Sequence, residues 1–526
     1  MTWALFVILA VPLVAALVSV AAGWRAARVA TLVAGLISFG LAIALALAVQ
    51  HGRSLHTAGG WLRLDALGAV FLATTGLLYA TGAVFSVGYL QADERQADFP
   101  RFARRYFGLL NLFGWSMLLV PLASDFGTLW VAVELTTIVS ALLVAIDRTD
   151  AALEASWKYI LIASSGLGIA LLAIIILYAT GTHALGSSYV PRFARFFAHG
   201  SGLSRDAVRL SFVLAVVGFG TKVGLAPTHT WLPDAHSEAP APVSAMLSGA
   251  LLASAFYAIL RFFQVAVTAG QRSFAEHVLI VFGVLSLVVA SLFVLRQRNY
   301  KRLLAYSSIE HMGVIALGVG FGAPLAVAGA LLHVITHASA KGLAFFGAGS
   351  LLRGYDSKEV EDVTDAARVM PWTGPMFLAA ALALCGLPLS GVFRSEFQIV
   401  AGGFAAPQYV GVTLLLVFVN LAFFGVLWHA GRMVLWPARG GTAAAGGTVA
   451  SDGTAAAGGT GAAGGTGAAG GTGAAGETRG RGEQSAWMIG AMLACLFVVV
   501  ALGLHLPGPL STLLAHATHL LSSPPR

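Results

Sequence analysis

The stretch VVGFGTKVGLAPTHTWLPDAHSEAPAPVSAMLSG, from Val216 to Gly249, decides the fold class of this chain. It places Lys222 inside an otherwise apolar segment, which Gly224 and Pro227 then interrupt. A lysine near the centre of a bilayer costs about 2.5–3.5 kcal/mol on insertion scales. Unpaired backbone groups at that depth are tolerated only against protein or a water-filled cavity. The stretch therefore predicts a discontinuous membrane helix beside a path for protons or ions.

The rest of the chain has the composition of a polytopic membrane protein. Of its 526 residues, 58% are hydrophobic and only 10% are charged, whereas soluble domains have about 25% charged residues. Apolar runs that are long enough to cross about 30 Å of hydrocarbon recur along it. The predicted fold is all-α, with about fourteen transmembrane helices, near residues 3–22, 29–49, 64–90, 107–123, 126–146, 157–180, 208–227, 241–267, 275–295, 303–320, 324–352, 373–392, 408–436 and 486–504.

The basic residues are distributed unevenly between the two sides of this predicted topology. If the N-terminus is outside, nineteen of the 31 Lys and Arg residues fall in inward connections and nine in outward ones. Because cytoplasmic connections carry an excess of basic residues, we expect both termini on the periplasmic side of a bacterial inner membrane. The first span has no preceding basic residue and no small-residue cleavage site, so it predicts a retained helix rather than a signal peptide.

The sequence lacks the usual motifs for redox chemistry. Its two cysteines, Cys385 and Cys495, cannot supply the roughly four thiolates of an iron–sulfur cluster. Neither of the glycine-rich nucleotide-binding motifs is present. We therefore expect no catalytic residue, cofactor or bound metal in this chain, and we expect any redox chemistry to belong to partner subunits.

The chain divides into five predicted parts. Residues 1–105 hold the first three helices, 106–268 a first repeat of five helices, and 269–436 a second repeat of five. Residues 437–485 form a predicted flexible linker rich in Gly, Ala and Thr, and 486–526 hold the last helix and the tail. The first repeat contains the acidic helix WVAVELTTIVSALL and then the broken helix with Lys222. The second contains the acidic helix LLAYSSIEHMG and then the Gly/Pro-interrupted helix CGLPLSGVFRSEF. Paired interrupted helices are typical of inverted-repeat transporters.

The first pair of candidate residues is Glu134 and Lys222. Glu134 lies nine residues past Asp125, which places it about 13 Å into its helix. A buried carboxylate must be neutralised or paired, and Lys222 is the predicted partner. Three interpretations stay open: a static ion pair that joins two helices, a lysine that loads and unloads a proton, and a lysine satisfied by backbone carbonyls at the helix break.

A second group of candidates lies in LLHVITHASAKGLAFF. Spacings of four place His333, His337 and Lys341 on one stripe of a helix, over about 12 Å of depth. This pattern favours a proton wire over simple hydrogen-bonded core residues. A metal site for the two histidines is an alternative, but no carboxylate or cysteine accompanies them locally. Two glutamates complete the set: Glu310, which precedes His311, and Glu396. Either one could be solvated at the end of its span. For Glu396, the alternative is an exit for protons.

Three segments resemble a known family of membrane proteins. They are TKVGLAPTHTWLPDAHSEAPAPVSAMLSG, YKRLLAYSSIEHMG and HVITHASAKGLAFFGAGS, within a similarity that covers about residues 60–435. They resemble the antiporter-like subunits of respiratory complex I, group 4 membrane-bound hydrogenases and Mrp-type cation antiporters. The segments HTWLPDAHSEAP and SSIEHMG are most similar to the branch of hydrogenase-4 component F, which also occurs in formate hydrogenlyase-type complexes.

The resemblance implies fourteen core helices with two inverted five-helix repeats and a proton path along the membrane. Complex I relatives carry a histidine or lysine on the eighth span, where this chain has Ser248 and Ala253. The central relay is therefore expected to use water, Ser248, His229 or His236. By motif, the roles along the path fall on Glu134, Lys222, His333, His337, Lys341 and Glu396, while Lys301 and Glu310 match further polar positions.

The predicted function is that of a proton-translocating, non-redox subunit of a hydrogenase-4 or formate hydrogenlyase-like complex. The expected partners are other membrane subunits, a soluble redox arm, the lipid bilayer, and protons or Na⁺, but not nucleic acid. The alternatives are a proton-pumping subunit of complex I, an Mrp-type Na⁺/H⁺ antiporter subunit, and a structural scaffold with vestigial channels.

Overall fold

The structure, a computed structural model, describes residues 2–57, 59–186, 189–437, 482–483 and 485–522. The predicted linker over residues 437–485 lies almost wholly outside these ranges, so its predicted flexibility stays a prediction. Within them, two strands of two residues each, β1 (Leu55–His56) and β2 (Arg63–Leu64), form an antiparallel pair. All other regular elements there are helical.

The described residues form twenty α-helices. Short 3-10 helices cover Val120–Leu122 and Gly200–Gly202, and a π-helical turn covers Leu247–Leu251. The α-helices are α1 Ala4–Ala21, α2 Trp24–Val49, α3 Ala66–Gln91, α4 Phe99–Leu119, α5 Phe126–Val144, α6 Asp150–Leu185, α7 Phe193–Ala198, α8 Arg205–Val223, α9 Trp231–Glu238, α10 Ala241–Met246, α11 Leu252–Thr268, α12 Arg272–Val294, α13 Tyr300–Gly320, α14 Pro324–Tyr355, α15 Ala366–Val369, α16 Thr373–Leu384, α17 Gly391–Ala405, α18 Tyr409–Leu435, α19 Ala486–Leu504 and α20 Gly508–Ser522.

The predicted class of polytopic helical membrane protein is confirmed. In the part of the chain that the structure describes, ten helical segments are long and apolar enough to cross a membrane. The predicted count of fourteen spans and the inverted repeats stay predictions. The apolar windows of α13 and of the continuous α10–α11 segment are completely buried, whereas only 33–39% of the residues in those of α1, α2, α18 and α19 are buried. The polar candidates on α13 therefore lie inside the bundle, where protein groups must satisfy them.

Helix α14 lies at the centre of the second half of the bundle. It packs against α3, α10, α13, α16, α17, α19 and α20. Its stripe of His333, His337 and Lys341 is buried, with each residue at most 1% exposed. Neighbouring helices therefore supply every group that these three side chains can meet.

The predicted interruption after Lys222 is confirmed. Helix α8 ends at Val223, and Gly224 adopts the left-handed conformation with φ of +81°. The N–H of Leu225 donates to the carbonyl of Gly220 (2.9 Å), and the indole N–H of Trp231 donates to that of Thr221 (2.7 Å). These bonds satisfy carbonyls at the broken helix end, as the interior of a membrane protein requires.

A second interruption separates α16 from α17. The interruption predicted in CGLPLSGVFRSEF is confirmed, because α16 stops at Leu384 and α17 begins at Gly391. The second half-helix continues to Ala405, beyond the span predicted near residues 373–392. Between them, Gly386 has φ of +65°, and a Cβ there would lie 2.4 Å from Oε2 of Glu396. The break therefore brings backbone directly against the carboxylate of Glu396.

We expect Gly224→Ala to destabilise the protein. A Cβ at this position would lie 2.4 Å from Cδ1 of Leu232, and the left-handed conformation costs a non-glycine residue about 1–2 kcal/mol. Gly168→Ala is the matched control, because its added Cβ on α6 meets no heavy atom within 4 Å beyond the adjoining backbone of its own helix. Thermal unfolding of the purified chain in detergent should show a lower Tm for Gly224→Ala and an equal or higher Tm for Gly168→Ala. Equal melting of the two variants would contradict this account of the break.

Candidate functional site

Lys222 is fully buried and hydrogen-bonds to hydroxyl groups of two neighbouring helices. Its ammonium donates to Oγ1 of Thr137 on α5 (2.8 Å) and to the hydroxyl of Tyr159 on α6. The same ammonium lies 4.6 Å from the centre of the Tyr159 ring. The Tyr159 hydroxyl also forms a hydrogen bond with Oγ of Ser140 (2.8 Å). The ammonium group of Lys222 therefore lies in a small cluster of hydroxyl groups.

Glu134 approaches this cluster without forming the predicted contact. Its Oε1 accepts a hydrogen bond from Oγ of Ser164 (2.8 Å), and its Oε2 is buried without a hydrogen-bond partner in the protein. Across the described ranges, no ion pair within 4.0 Å joins Glu134 to Lys222. Thr137 follows Glu134 by three positions and so shares its helix face. A static ion pair therefore does not join the two helices in this conformation.

Lys301 and His236 lie next to helix α9. The ammonium of Lys301 donates to the carbonyls of Ser237 (2.9 Å) and Ala239 (2.6 Å), where α9 ends. A cation at a helix C-terminus is favoured by the helix dipole, so Lys301 stabilises the end of α9. His236 stacks on Phe345 of α14, with ring centres 5.1 Å apart, and neither of its ring nitrogens has a protein partner.

Ser248 lies in the π-helical turn and contacts a serine of α13 that is adjacent in sequence to a partner of Lys341. Its Oγ is 2.7 Å from Oγ of Ser308 on α13. The preceding residue, Ser307, accepts a hydrogen bond from Lys341, whose ammonium also donates to the carbonyl of Leu304 (2.8 Å). Single π-helical turns inside α-helices are frequent at functional sites. Hydroxyls thus occupy the place where the resemblance implies a basic side chain.

A histidine cluster with one carboxylate joins α13, α14 and α17. Nε2 of His333 lies 3.0 Å from Nδ1 of His311, and Nδ1 of His333 lies 2.9 Å from Oγ of Ser395. Nδ1 of His311 is also 3.8 Å from Oε1 of Glu396. The rings of His337 and His311 have centres 4.9 Å apart. The Glu396 side chain is only 12% exposed, so it lies inside the bundle rather than at a solvated end.

The structure brings the eleven predicted residues together in groups rather than in one site. Glu310, which is 4% exposed, immediately precedes His311 on α13 and is also buried rather than solvated. His229, 8% exposed, lies in the segment between α8 and α9. The groups are Glu134 with Lys222; His229, His236 and Lys301 around α9; and Ser248, Glu310, His333, His337, Lys341 and Glu396 around α13, α14 and α17.

Sequence reasoning missed most of the partners of these residues. Thr137, Tyr159 and Ser164 lie in apolar helices, and no motif marks them. Ser395 likewise gave no signal beyond its position next to Glu396. His311 was detectable, because it lies beside Glu310 in the quoted segment SSIEHMG.

Comparison with known proteins identifies the family. A family described as NADH:quinone oxidoreductase/Mrp antiporter, transmembrane region, matches residues 123–422. The chain belongs to this family. The match includes α8, α13, α14 and α17, which carry Lys222, the histidine cluster and Glu396. As an antiporter-like subunit of this family, the chain is a multi-pass membrane protein.

Individual relatives come from several branches of the family. The chain is 35% identical to the hydrogenase-4 component F homolog of Methylacidiphilum infernorum over 359 residues, which cover 68% of this chain and 75% of that protein. It is 31% identical to the NADH-quinone oxidoreductase subunit N of Desulforudis audaxviator over 388 residues, 72% and 74% of the two chains. A chain of the Mrp complex from Dietzia sp. DQ12-45-1b superposes with a TM-score of 0.82 at 23% identity, over 99% and 98% of the two chains. At that identity the superposition shows a shared fold alone.

We expect Tyr159→Phe to destabilise the Lys222 cluster. The substitution removes a hydroxyl that contacts both Lys222 and Ser140, and a buried polar group left without its partner costs about 1–3 kcal/mol. Tyr178→Phe on the same helix is the matched control, since Tyr178 does not contact Lys222. Thermal unfolding in detergent should show a lower Tm for Tyr159→Phe than for Tyr178→Phe. A Tyr159→Phe protein that melts like the control would mean that the hydroxyl cluster does not stabilise the buried lysine.

Proposed function

We propose that this chain is a proton-translocating membrane subunit of a hydrogenase-4 or formate hydrogenlyase-like oxidoreductase complex. One observation carries the proposal: Lys222 is buried beside a helix break, and its hydrogen bonds go to hydroxyls rather than to a carboxylate. A titratable residue placed at such cost in a membrane protein is a functional site by default.

The hydroxyl partners of Lys222 suit a residue that changes its protonation state. A hydroxyl both donates and accepts hydrogen bonds, so Thr137 and Tyr159 serve the ammonium and the neutral amine alike. A carboxylate in direct contact would favour only the charged form. Glu134, nearby but not in contact, acts on Lys222 through its charge, and a shift in that field loads or unloads the lysine.

From Lys222 the proposed path continues through the centre of the bundle. The Ser248–Ser308 contact leads to Ser307 and Lys341, and the histidine cluster leads on to Glu396. Water, His229 and His236 complete the connection on the Lys222 side. Electron transfer in partner subunits shifts the electrostatics at Glu134 and Lys222 and thereby drives protons along this line.

Membership of a redox complex rests on the relatives. The hydrogenase-4 component F homolog is 35% identical to the chain and the complex I subunit N is 31% identical, which favours the hydrogenase branch. The partners are then further membrane subunits and a soluble redox arm. Within this proposal, the chain lies in the inner membrane with both termini periplasmic, because the basic residues are enriched on the opposite side.

We expect Lys222→Ala to abolish proton transport while the complex still assembles. The substitution removes the buried group that carries the proton, and the small side chain leaves the hydroxyls of Thr137 and Tyr159 in place. The measurement is proton uptake by proteoliposomes that hold the complex purified with this subunit, with electron transfer recorded in parallel.

Lys158→Ala is the matched control for this variant. Lys158 also lies on a membrane helix, but its side chain is 37% exposed and pairs with Glu154. The control should pump like the wild type. A Lys222→Ala complex that pumps normally would favour the scaffold interpretation over the proton path.

We expect the affinity-purified native complex to contain the large and small subunits of a hydrogenase. Two measurements distinguish the candidate complexes. Mass spectrometry identifies the co-purified proteins, and activity assays compare hydrogen evolution with NADH–quinone reduction. Complex I subunits with NADH–quinone activity, or Mrp subunits with Na⁺-dependent transport and no redox activity, would replace the hydrogenase assignment. In either case proton transfer through Lys222 is tested separately by the variant above.

A further inference from the structure

Three buried side chains from three helices place potential metal ligands close together. His311 on α13, His333 on α14 and Glu396 on α17 offer ligand atoms that all lie within 4.8 Å of one another. Nδ1 of His311 is 3.0 Å from Nε2 of His333 and 3.8 Å from Oε1 of Glu396. Two ligands that bind Zn²⁺ tetrahedrally at about 2.0–2.1 Å lie about 3.3 Å apart. The observed separations fall on either side of that value.

The hydrogen bonds of Ser395 determine which nitrogen of His333 faces the cluster as an acceptor. The hydroxyl of Ser395 donates its proton to the carbonyl of Val392 (2.8 Å). Oγ of Ser395 therefore accepts from Nδ1–H of His333 at 2.9 Å. This tautomer leaves the lone pair on Nε2 of His333, which points at His311. A histidine whose outer nitrogen is held in this way is typical of metal ligands.

Three buried polar atoms at the cluster have no hydrogen-bond partner in the protein. They are Oε1 of Glu396, Nε2 of His311 and Nε2 of His337, and the ring centre of His337 is 4.9 Å from that of His311. Buried polar atoms are normally hydrogen-bonded, so each such exception needs an explanation. A bound cation would take the carboxylate oxygen directly, and either His337 or water would complete four-coordination.

We propose that His311, His333 and Glu396 form a binding site for a divalent transition metal, with Zn²⁺ as the best match. Imidazole nitrogen is a good ligand for zinc, whereas Mg²⁺ and Ca²⁺ prefer sites made of oxygen alone. The buried carboxylates of Glu396 and its neighbour Glu310 offset the two charges of the ion. The break before α17 holds Gly386 against Glu396 and so fixes the position of that ligand.

Zinc at this site has a consequence for proton transfer. The same three side chains belong to the proposed proton path, and a ligand bound to a metal can no longer exchange protons through that atom. Submillimolar Zn²⁺ is therefore expected to inhibit proton transport. This consequence rests on the proposed function, whereas binding of the metal does not.

The binding test uses the full chain, purified in detergent without a histidine tag and stripped of metal with EDTA. Equilibrium dialysis against Zn²⁺, with the metal quantified by mass spectrometry, should give one ion per chain. Glu396→Gln and His311→Gln should each lower the affinity at least tenfold, since loss of even an outer-shell partner typically costs that much. His277→Gln, which alters an exposed histidine on α12, should bind zinc like the wild type.

Two further measurements separate the site from misfolding and from chance binding. Zn²⁺ should raise the Tm of the wild type and of His277→Gln but not that of the two ligand variants, and all four should elute as the same monodisperse species without metal. X-ray absorption at the zinc edge should show nitrogen and oxygen ligands at about 2.0–2.1 Å. Sulfur ligation, or wild-type affinity in folded Glu396→Gln, would overturn the site.

Transport assays in proteoliposomes then test the inhibition separately. Zinc should inhibit proton uptake by the wild-type complex with the same concentration dependence as binding. Stoichiometric binding with undiminished uptake would refute the inhibition and leave the site intact. A wild-type protein that pumps but does not bind zinc would refute the site and leave the proposed function intact.

Discussion

A charge inside a bilayer must be satisfied by protein groups, and this structure meets that requirement in two different ways. Arg261 is fully buried and pairs with Asp65 at 2.8 Å, with further bonds to Tyr257 and Gln264. This arrangement fixes a permanent charge between α11 and the start of α3. Lys222, in contrast, is held by hydroxyls. Its partners do not commit it to the charged form, which separates this candidate proton carrier from a structural cation.

The helix breaks position the functional groups of both halves. In the first half, the left-handed Gly224 turns the chain after Lys222, and Trp231 satisfies a carbonyl of the broken end. In the second half, Gly386 turns the chain after α16 and lies against Glu396. Each break therefore lies beside a titratable side chain. In a membrane interior such breaks are tolerated only where protein or water pairs the freed backbone, and a path for protons needs the same environment.

The two proposals make different demands on the second half of the bundle. Proton transfer needs His333 and His311 to exchange protons through the nitrogens that face each other at 3.0 Å. Metal binding needs the same nitrogens as fixed lone-pair donors, which the Ser395 hydrogen bond favours at His333. The same arrangement of side chains therefore supports proton transfer when no metal is bound and prevents it when a metal is bound.

The sequence alone determined the fold class, the interrupted helices and the main titratable residues. Hydrophobic runs, Gly and Pro mark helices and their breaks locally, and a charge within an apolar run stands out whatever surrounds it. The sequence left open whether Glu134 pairs directly with Lys222, and it gave no sign of Tyr159 or Ser395. It also placed no carboxylate beside His333, although Glu396 lies in the same cluster. Periodicity gives the depth and face of a side chain, but only the packing of helices distant in sequence decides which groups that face meets.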